Sequence, residues 1–254
     1  MSNIRIVTIA DPKYFEYLKT MVNSVKTNLP GVKVHAFLVN MSDKHGKILQ
    51  SIHPNLEYTI ETVKFKFDLQ TKCYCTNRRS YLLMNLREKT DDILVWLDAD
   101  SVVVKECPEF LDFVRKCDVS YRPKNKSDIP KSLLKKGKKP SGFMAGVIVL
   151  GNSDGALEFA KEYDRLLPRL SYLKARLNHD GPICQLPGTI KKIWMSNQDL
   201  LQTLYKKFKK KINFVELPQK YLDCSFSPDT AIWSVKTSNR KNKMFNRLFK
   251  KYRK

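Results

Sequence analysis

The sequence predicts an α/β protein: a mostly parallel central sheet with helices on both faces. Three observations carry that expectation. Strand-sized apolar runs alternate with helix-spaced segments from Ile4 to Val104, and short polar connections join them. One run, Ile93 to Val104, is apolar almost throughout, as suits a strand covered on both faces. A chain of 254 residues with 42% hydrophobic and 11% aromatic content can also bury a large core, which excludes global disorder.

Taken in order, Ile4 to Ala10 reads as a first buried strand, broken by Asp11-Pro12. A helix follows with Tyr14, Tyr17, Leu18, Met21, Val22 and Val25 at helical spacing, and Pro30-Gly31 stops it. Val32 to Val39 is the second strand, Asp43 to Ile52 a helix, and Leu56 to Phe67 an alternating third strand. A helix over Asn77 to Leu86 leads to the Ile93–Val104 strand. Beyond it the pattern predicts a helix over Pro108–Arg115, a strand over Asp118–Arg122, a lysine-rich loop at 123–141 and a strand over Phe143–Leu150. Next come a helix over Ala156–Leu166, an irregular segment with Gly181-Pro182 and Pro187-Gly188, a helix from Ser196 through Lys207, and a late strand over Ile212–Leu217.

Asp98 and Asp100 interrupt the Ile93–Val104 run. In extended chain, residues two apart point the same way, so both carboxylates would face one side. A divalent cation carrying a phosphorylated ligand would neutralise them, because hard cations take carboxylate and phosphate oxygens together. The plain alternative is a polar turn that ends a strand, since an Asp-x-Asp arises about once by chance at this aspartate content. In parallel sheets ligands sit at the carboxyl ends of strands, where Thr8, Ala10 and Asp11 also fall on the first strand.

The net charge of +22, with pI near 9.7, implies attraction to polyanions: nucleic acid, anionic membrane or phosphorylated substrates. Lysines cluster at 131–139 and 206–211, and residues 240–254 hold basic groups and no acid. Such runs read chiefly as solvated, steering faces. Six cysteines lack Cys-x-x-Cys spacing, so reduced thiols rather than a zinc site are expected. No apolar run reaches membrane-spanning length and the N-terminus does not read as a signal peptide, so a soluble, cytoplasmic protein is expected.

Several stretches together resemble the GT-A nucleotide-sugar glycosyltransferases, closest to the family 8 type. The Ile6-Val7-Thr8-Ile9-Ala10 strand followed by Tyr14 resembles that family's nucleotide-binding start, and Leu97-Asp98-Ala99-Asp100 matches its Leu-Asp-Ala-Asp signature. Phe143-Met144-Ala145-Gly146-Val147 is similar to its Phe-Asn-Ala-Gly-Val strand. Asn197-Gln198-Asp199-Leu200-Leu201 and Leu217-Pro218-Gln219-Lys220-Tyr221 resemble its Asp-Gln-Asp-x-Leu and Leu-Pro-x-x-Tyr segments. The chain departs at Met144 and Asn197, where the family has asparagine and aspartate. It also lacks the family's late metal-binding histidine, with Ile232-Trp233-Ser234-Val235-Lys236 in that region.

The resemblance implies a Rossmann-like GT-A domain over 1–238, and residues 239–254 read by their own spacing as a basic amphipathic tail. It implies a nucleotide-sugar donor, with a UDP-sugar expected, and a glycan or glycoconjugate acceptor. Asp98 and Asp100 would hold Mn²⁺ or Mg²⁺ against the donor diphosphate; Thr8, Ala10, Asp11, Tyr14 and Ala99 would line the nucleotide, and Arg78, Arg79 and Lys236 would add positive charge. Gln198, Asp199 and Asp180 are the candidate catalytic groups, although Ser196-Asn197-Gln198-Asp199 also reads as a helix capping box. The tail would lie on an anionic membrane surface or dock on the domain. The competing class is a nuclease or nucleotidyltransferase using the same aspartates, but the chain has no Gly-Ser or Gly-Gly turn before them, and nucleic acid is not an expected partner.

Overall fold

The computed structural model describes residues 3–64, 68–128, 142–176, 196–234 and 243–253. Among them, strands β1 (Ile4–Ala10), β2 (Lys33–Val39), β3 (Leu56–Glu61), β4 (Ile93–Leu97), β6 (Val119–Pro123) and β7 (Phe143–Leu150) form one sheet in the order β3-β2-β1-β4-β7-β6. The first four run parallel; β7 lies antiparallel to both β4 and β6. Two short strands, β5 (Ser101–Val103) and β8 (Ile232–Ser234), make a separate antiparallel pair.

The helices are α1 (Phe15–Asn28), α2 (Asp43–Ile52), α3 (Asp68–Asn77), α4 (Arg79–Arg87), α5 (Pro108–Val114), α6 (Asp154–Arg176), α7 (Ser196–Phe208) and α8 (Lys243–Tyr252). Strand alternation sends side chains to two cores. Ile4, Ile6 and Ala10 of β1 join Leu18, Met21 and Val25 of α1, Leu49 of α2 and Phe110 of α5 on one face. Val7 and Ile9 join Leu83 of α4, Phe159 and Tyr163 of α6 and Leu204 of α7 on the other. Both faces are therefore covered, which is why the central strands read as continuous apolar runs.

Six sequence-based expectations change. The run from Ile93 to Val104 is not one strand: β4 ends at Leu97, Asp98–Asp100 turns with Ser101 N–H donating to the Asp98 carbonyl (2.9 Å), and β5 pairs elsewhere. A straight strand cannot serve both sheets, so the two-residue alternation does not apply across Asp98 and Asp100. Helix α3 is absent from the sequence-based elements, because Asp68–Asn77 has no apolar stripe. The following helix starts at Arg79, and α6 runs through Pro168 to Arg176 rather than ending at Leu166. β3 stops at Glu61. Residues 212–217 form no regular strand, although Val215 and Leu217 donate to the Val119 and Tyr121 carbonyls on the β6 edge at 3.2 and 3.3 Å.

Helix α8 packs on α1. Tyr252 is buried, its hydroxyl accepting from Asn28 Nδ2 (2.9 Å) and its carbonyl from Asn23 Nδ2 (2.8 Å). Phe249 meets Tyr17, and Arg253 pairs with Glu16 at 3.0 Å. Among the described residues, no helix is long and apolar enough to cross a membrane. Cys107, Cys117 and Cys224 are buried, Cys73 and Cys75 are half-buried, and Cys184 lies outside the described residues.

Candidate active site

The chain runs from β1 outward to β2 and β3, then crosses back to β4 on the other side of β1. That reversal opens a crevice at the carboxyl ends of β1 and β4, the position where open α/β sheets bind ligands. A cleft of ≈ 770 Å³, counted to its open mouth, lies there. Its wall comprises Ile9, Ala10, Asp11 and Tyr14 from the end of β1, Lys72, Cys75 and Thr76 from α3, and Arg79 from α4. Trp96 to Asp100, without Leu97, contribute from β4 and its turn, Ala145 and Gly146 from β7, and Asn197 and Gln198 from the first turn of α7.

Asp98 is held firmly on one side only. Its Oδ1 accepts from Arg79 Nη2 (3.1 Å) and Trp96 Nε1 (2.9 Å), while its N–H donates to the Gly146 carbonyl (3.0 Å). Oδ2 has no hydrogen-bond partner among the described residues. Arg79 is 5% exposed in its side chain, donates also to the Thr76 (3.1 Å) and Ala145 carbonyls, and stacks 4.8 Å over the Trp96 ring. Part of the neutralisation that the aspartate pair demands therefore comes from this arginine, which braces Asp98 in the cleft wall.

Gly146 sits where β7 changes hands. Phe143 and Ala145 face the α4–α6–α7 core, as do Ile148 and Leu150, whereas Met144, Val147 and Val149 face the other. The alternation slips by one residue at Gly146, next to an irregularity in the β6–β7 register. Met144, at the family's asparagine position, points into the core with 8% exposure and does not line the cleft.

Asp11 carries a local structural duty. Its Oδ1 accepts from the N–H groups of Lys13 (3.0 Å) and Tyr14 (3.2 Å), capping the 3₁₀ turn Pro12–Tyr14 that presents Tyr14. Burial, with the Asp11 charge adding, pushes the Cys75 thiol up to about 12, so it stays protonated. Asn197 donates through Nδ2 to the Thr76 carbonyl (3.3 Å), which also accepts from Arg79. An aspartate there would set two acceptors face to face, which explains why this chain carries the amide.

Of the residues singled out in the sequence, Ala10, Asp11, Tyr14, Arg79, Asp98, Ala99, Asp100 and Gln198 share this cleft. Three do not line it. Thr8 is wholly buried, its Oγ1 without a hydrogen-bond partner among the described residues. Arg78 turns toward Glu61 (3.2 Å) and stacks 3.8 Å over Tyr81. Asp199 is exposed in the first turn of α7, where an acid favours the helix dipole. Asp180 and Lys236 lie outside the described residues. Sequence patterning misses Lys72 and Cys75 because it misses their helix, and Trp96 reads only as core.

A hard cation suits this donor set. No group of three or more His, Cys, Asp or Glu side chains capable of holding a metal occurs among the described residues. The carboxylates that the turn after β4 brings to the cleft wall are those of Asp98 and Asp100, and a cation held there would take its remaining oxygens from a ligand.

No protein-family model matches the chain, and no curated protein sequence does. Solved structures share its fold. The glycosyltransferase GlyE of Streptococcus pneumoniae TIGR4 superposes with a TM-score of 0.61 at 13% identity, covering 100% of this chain and 60% of GlyE. The chain thus spans about three fifths of GlyE's length. The galactosyltransferase LgtC, solved with donor and acceptor sugar analogues, gives 0.55 at 13% identity over 98% of this chain and 96% of LgtC. An active-site glutamine-to-glutamate mutant of LgtC gives 0.53 at 15% identity, over 87% of this chain and 75% of that one. The architecture of this chain is that of the GT-A-like glycosyltransferase structures.

Proposed function

We propose that the chain is a metal-dependent glycosyltransferase of the family 8 type. It would move a sugar from a nucleotide-diphosphate donor, with a UDP-sugar expected, to a glycan, lipid-linked or protein acceptor. The observation that carries this reading is the placement of Asp98 and Asp100 at the sheet's switch point, with Asp98 Oδ2 unpartnered among the described residues. The fold shared with GlyE and LgtC supports it.

Asp98 and Asp100 would hold Mn²⁺ or Mg²⁺. When bound, such an ion supplies Lewis-acid stabilisation to the departing diphosphate. The remaining roles belong to the protein. Arg79 keeps the Asp98 carboxylate in one orientation, so no reorganisation is needed as charge develops. Ala10, Asp11 and Tyr14 shape the nucleoside end, and Lys72 brings a cation into the wall. Gln198, in the first turn of α7, takes the sugar and acceptor end; LgtC's active-site mutant likewise alters a glutamine. Asp199 and Asp180 are the carboxylates available as general base should the transfer invert, and Lys236 is assigned to the diphosphate.

Thermal unfolding tests the reading. UDP or GDP with Mn²⁺ should raise Tm by several degrees, as a ligand binding only the native state must. Stabilisation by single-stranded RNA, with none by any nucleoside diphosphate, contradicts it and favours the nucleic-acid alternative.

A further inference from the structure

We propose that Ser24 and Asn28 of α1 are positioning residues for the Asp98–Asp100 turn, acting through the backbone of β5. The inference rests on the metal-site reading above and names what holds its second carboxylate in place. Asp98 is tied to β4, β7 and Arg79, whereas Asp100 leads directly into β5, which lies outside the main sheet. β5 and its partner β8 have three residues each and, among the described residues, no third strand. A ribbon so short is not stable by itself, so another element must fix it.

Helix α1 does this with side chains. Thr20, Ser24 and Asn28 recur every fourth residue and are buried, so they form a polar row along a helix side otherwise turned to the core. A buried polar row costs free energy unless each member is paired. Thr20 Oγ1 donates back to the Glu16 carbonyl of its own helix (2.9 Å), but the next two members reach β5. Ser24 Oγ donates to the Met21 carbonyl (2.7 Å) and accepts from the Val103 N–H (3.0 Å). Asn28 Nδ2 donates to the Val103 carbonyl (2.8 Å) and to the Tyr252 hydroxyl of α8 (2.9 Å). Both peptide groups of Val103 are thus taken by α1, in the place a third strand would occupy. On the β8 side, the Val104 N–H donates to the Ala231 carbonyl (2.9 Å). Val103 is wholly buried and stands three residues past Asp100, a reach of roughly 10 Å in extended chain. A shift of β5 along α1 therefore moves Asp100 relative to Asp98, and an octahedral cation tolerates little change in the spacing of its oxygens.

The experiment is calorimetric titration of Mn²⁺ into protein held with saturating UDP, and of UDP into metal-free protein. Wild type is set against Ser24→Ala, Asn28→Leu and Leu49→Ala, each well below its unfolding midpoint. Leu49 is buried on α2, which packs on α1 and β3, so its truncation loosens the core without touching the polar row. Ser24→Ala and Asn28→Leu are expected to raise the Mn²⁺ midpoint about tenfold, the low end of what losing an outer-shell partner does, with metal-free UDP affinity unchanged. Leu49→Ala is expected to lower stability and leave the midpoint where it is. An unchanged midpoint in folded Ser24→Ala overturns the proposal while leaving the donor site standing, and that variant decides alone should Asn28→Leu fail to fold. An equal rise in Leu49→Ala also overturns it, because general loosening then accounts for the effect. Failure of wild type to bind UDP with Mn²⁺ overturns the donor site and the proposal with it.

Discussion

Arg79 does more for the cleft than its charge suggests. It joins α4 to α3 through the Thr76 carbonyl, to β7 through the Ala145 carbonyl and to Asp98 beyond the end of β4. Removing it would leave two carbonyls and a carboxylate oxygen without that donor in a largely buried setting, and breaking such a pair costs on the order of 3 kcal/mol. Arg79→Ala should therefore lower stability by about that amount in urea unfolding, and should weaken nucleotide binding further by freeing Asp98. Arg79→Lys should recover little of either, because an ammonium cannot serve three acceptors in a fork. The sequence alone points to both the arginine and the aspartate but sets both on the diphosphate. Their mutual bond depends on packing that brings α4 against β4, which no local pattern reports. Asn197 is the same kind of case: a departure in sequence becomes intelligible only beside the Thr76 carbonyl.

Among the elements, α8 has the most apolar character concentrated on one side, and it uses that side on the domain. Tyr252, Phe249 and Leu248 join Val102 and Trp233 in a small third core beside α1. Truncating a buried aromatic costs about 3–5 kcal/mol, so Tyr252→Ala should destabilise the protein by about 3 kcal/mol in chemical denaturation. The same change removes the hydroxyl that accepts from Asn28. An unchanged midpoint would mean that the helix is undocked in solution. The 3.6-residue spacing of Met244, Leu248 and Phe249 is visible in the sequence; which surface receives it is not. Strands β1, β2 and β7 are legible because buried strands read as unbroken branched runs. By contrast α3 is invisible, and with it Lys72 and Cys75 of the cleft, because a short helix without an apolar stripe has no periodic signal. The split between β4 and β5 is hidden for the opposite reason: both halves are apolar, and only their different partners separate them.

For the molecule as a whole, stability should depend on pH through two imidazoles. Burial lowers the pKa of both His35 and His53 from the ordinary 6.5, with nearby Arg5 and Lys26 adding to the effect. The folded state thus binds these protons less readily than the unfolded chain, so their stabilising contribution is complete above 6.5 and is lost as pH falls through the lower folded values. Tm should hold steady above neutrality and fall as the solution is acidified below pH 6.5, and His53→Asn should flatten that fall. A Tm rising on acidification through this range would contradict the assignment. The order of the sheet, the pair of cores and the switch point between β1 and β4 form one arrangement, and the chemistry follows from what that arrangement brings to the end of β4. The central claim is that Asp98 and Asp100 hold the metal–diphosphate end of a nucleotide sugar. Release of free sugar from UDP-glucose, UDP-galactose and UDP-N-acetylglucosamine, with and without Mn²⁺, tests it most directly when wild type is set against Asp100→Ala. The account predicts metal-dependent release by wild type and roughly a hundredfold loss or more in a folded Asp100→Ala, of the order that removing one electrostatic stabiliser costs. Metal-dependent release that survives in Asp100→Ala would contradict it.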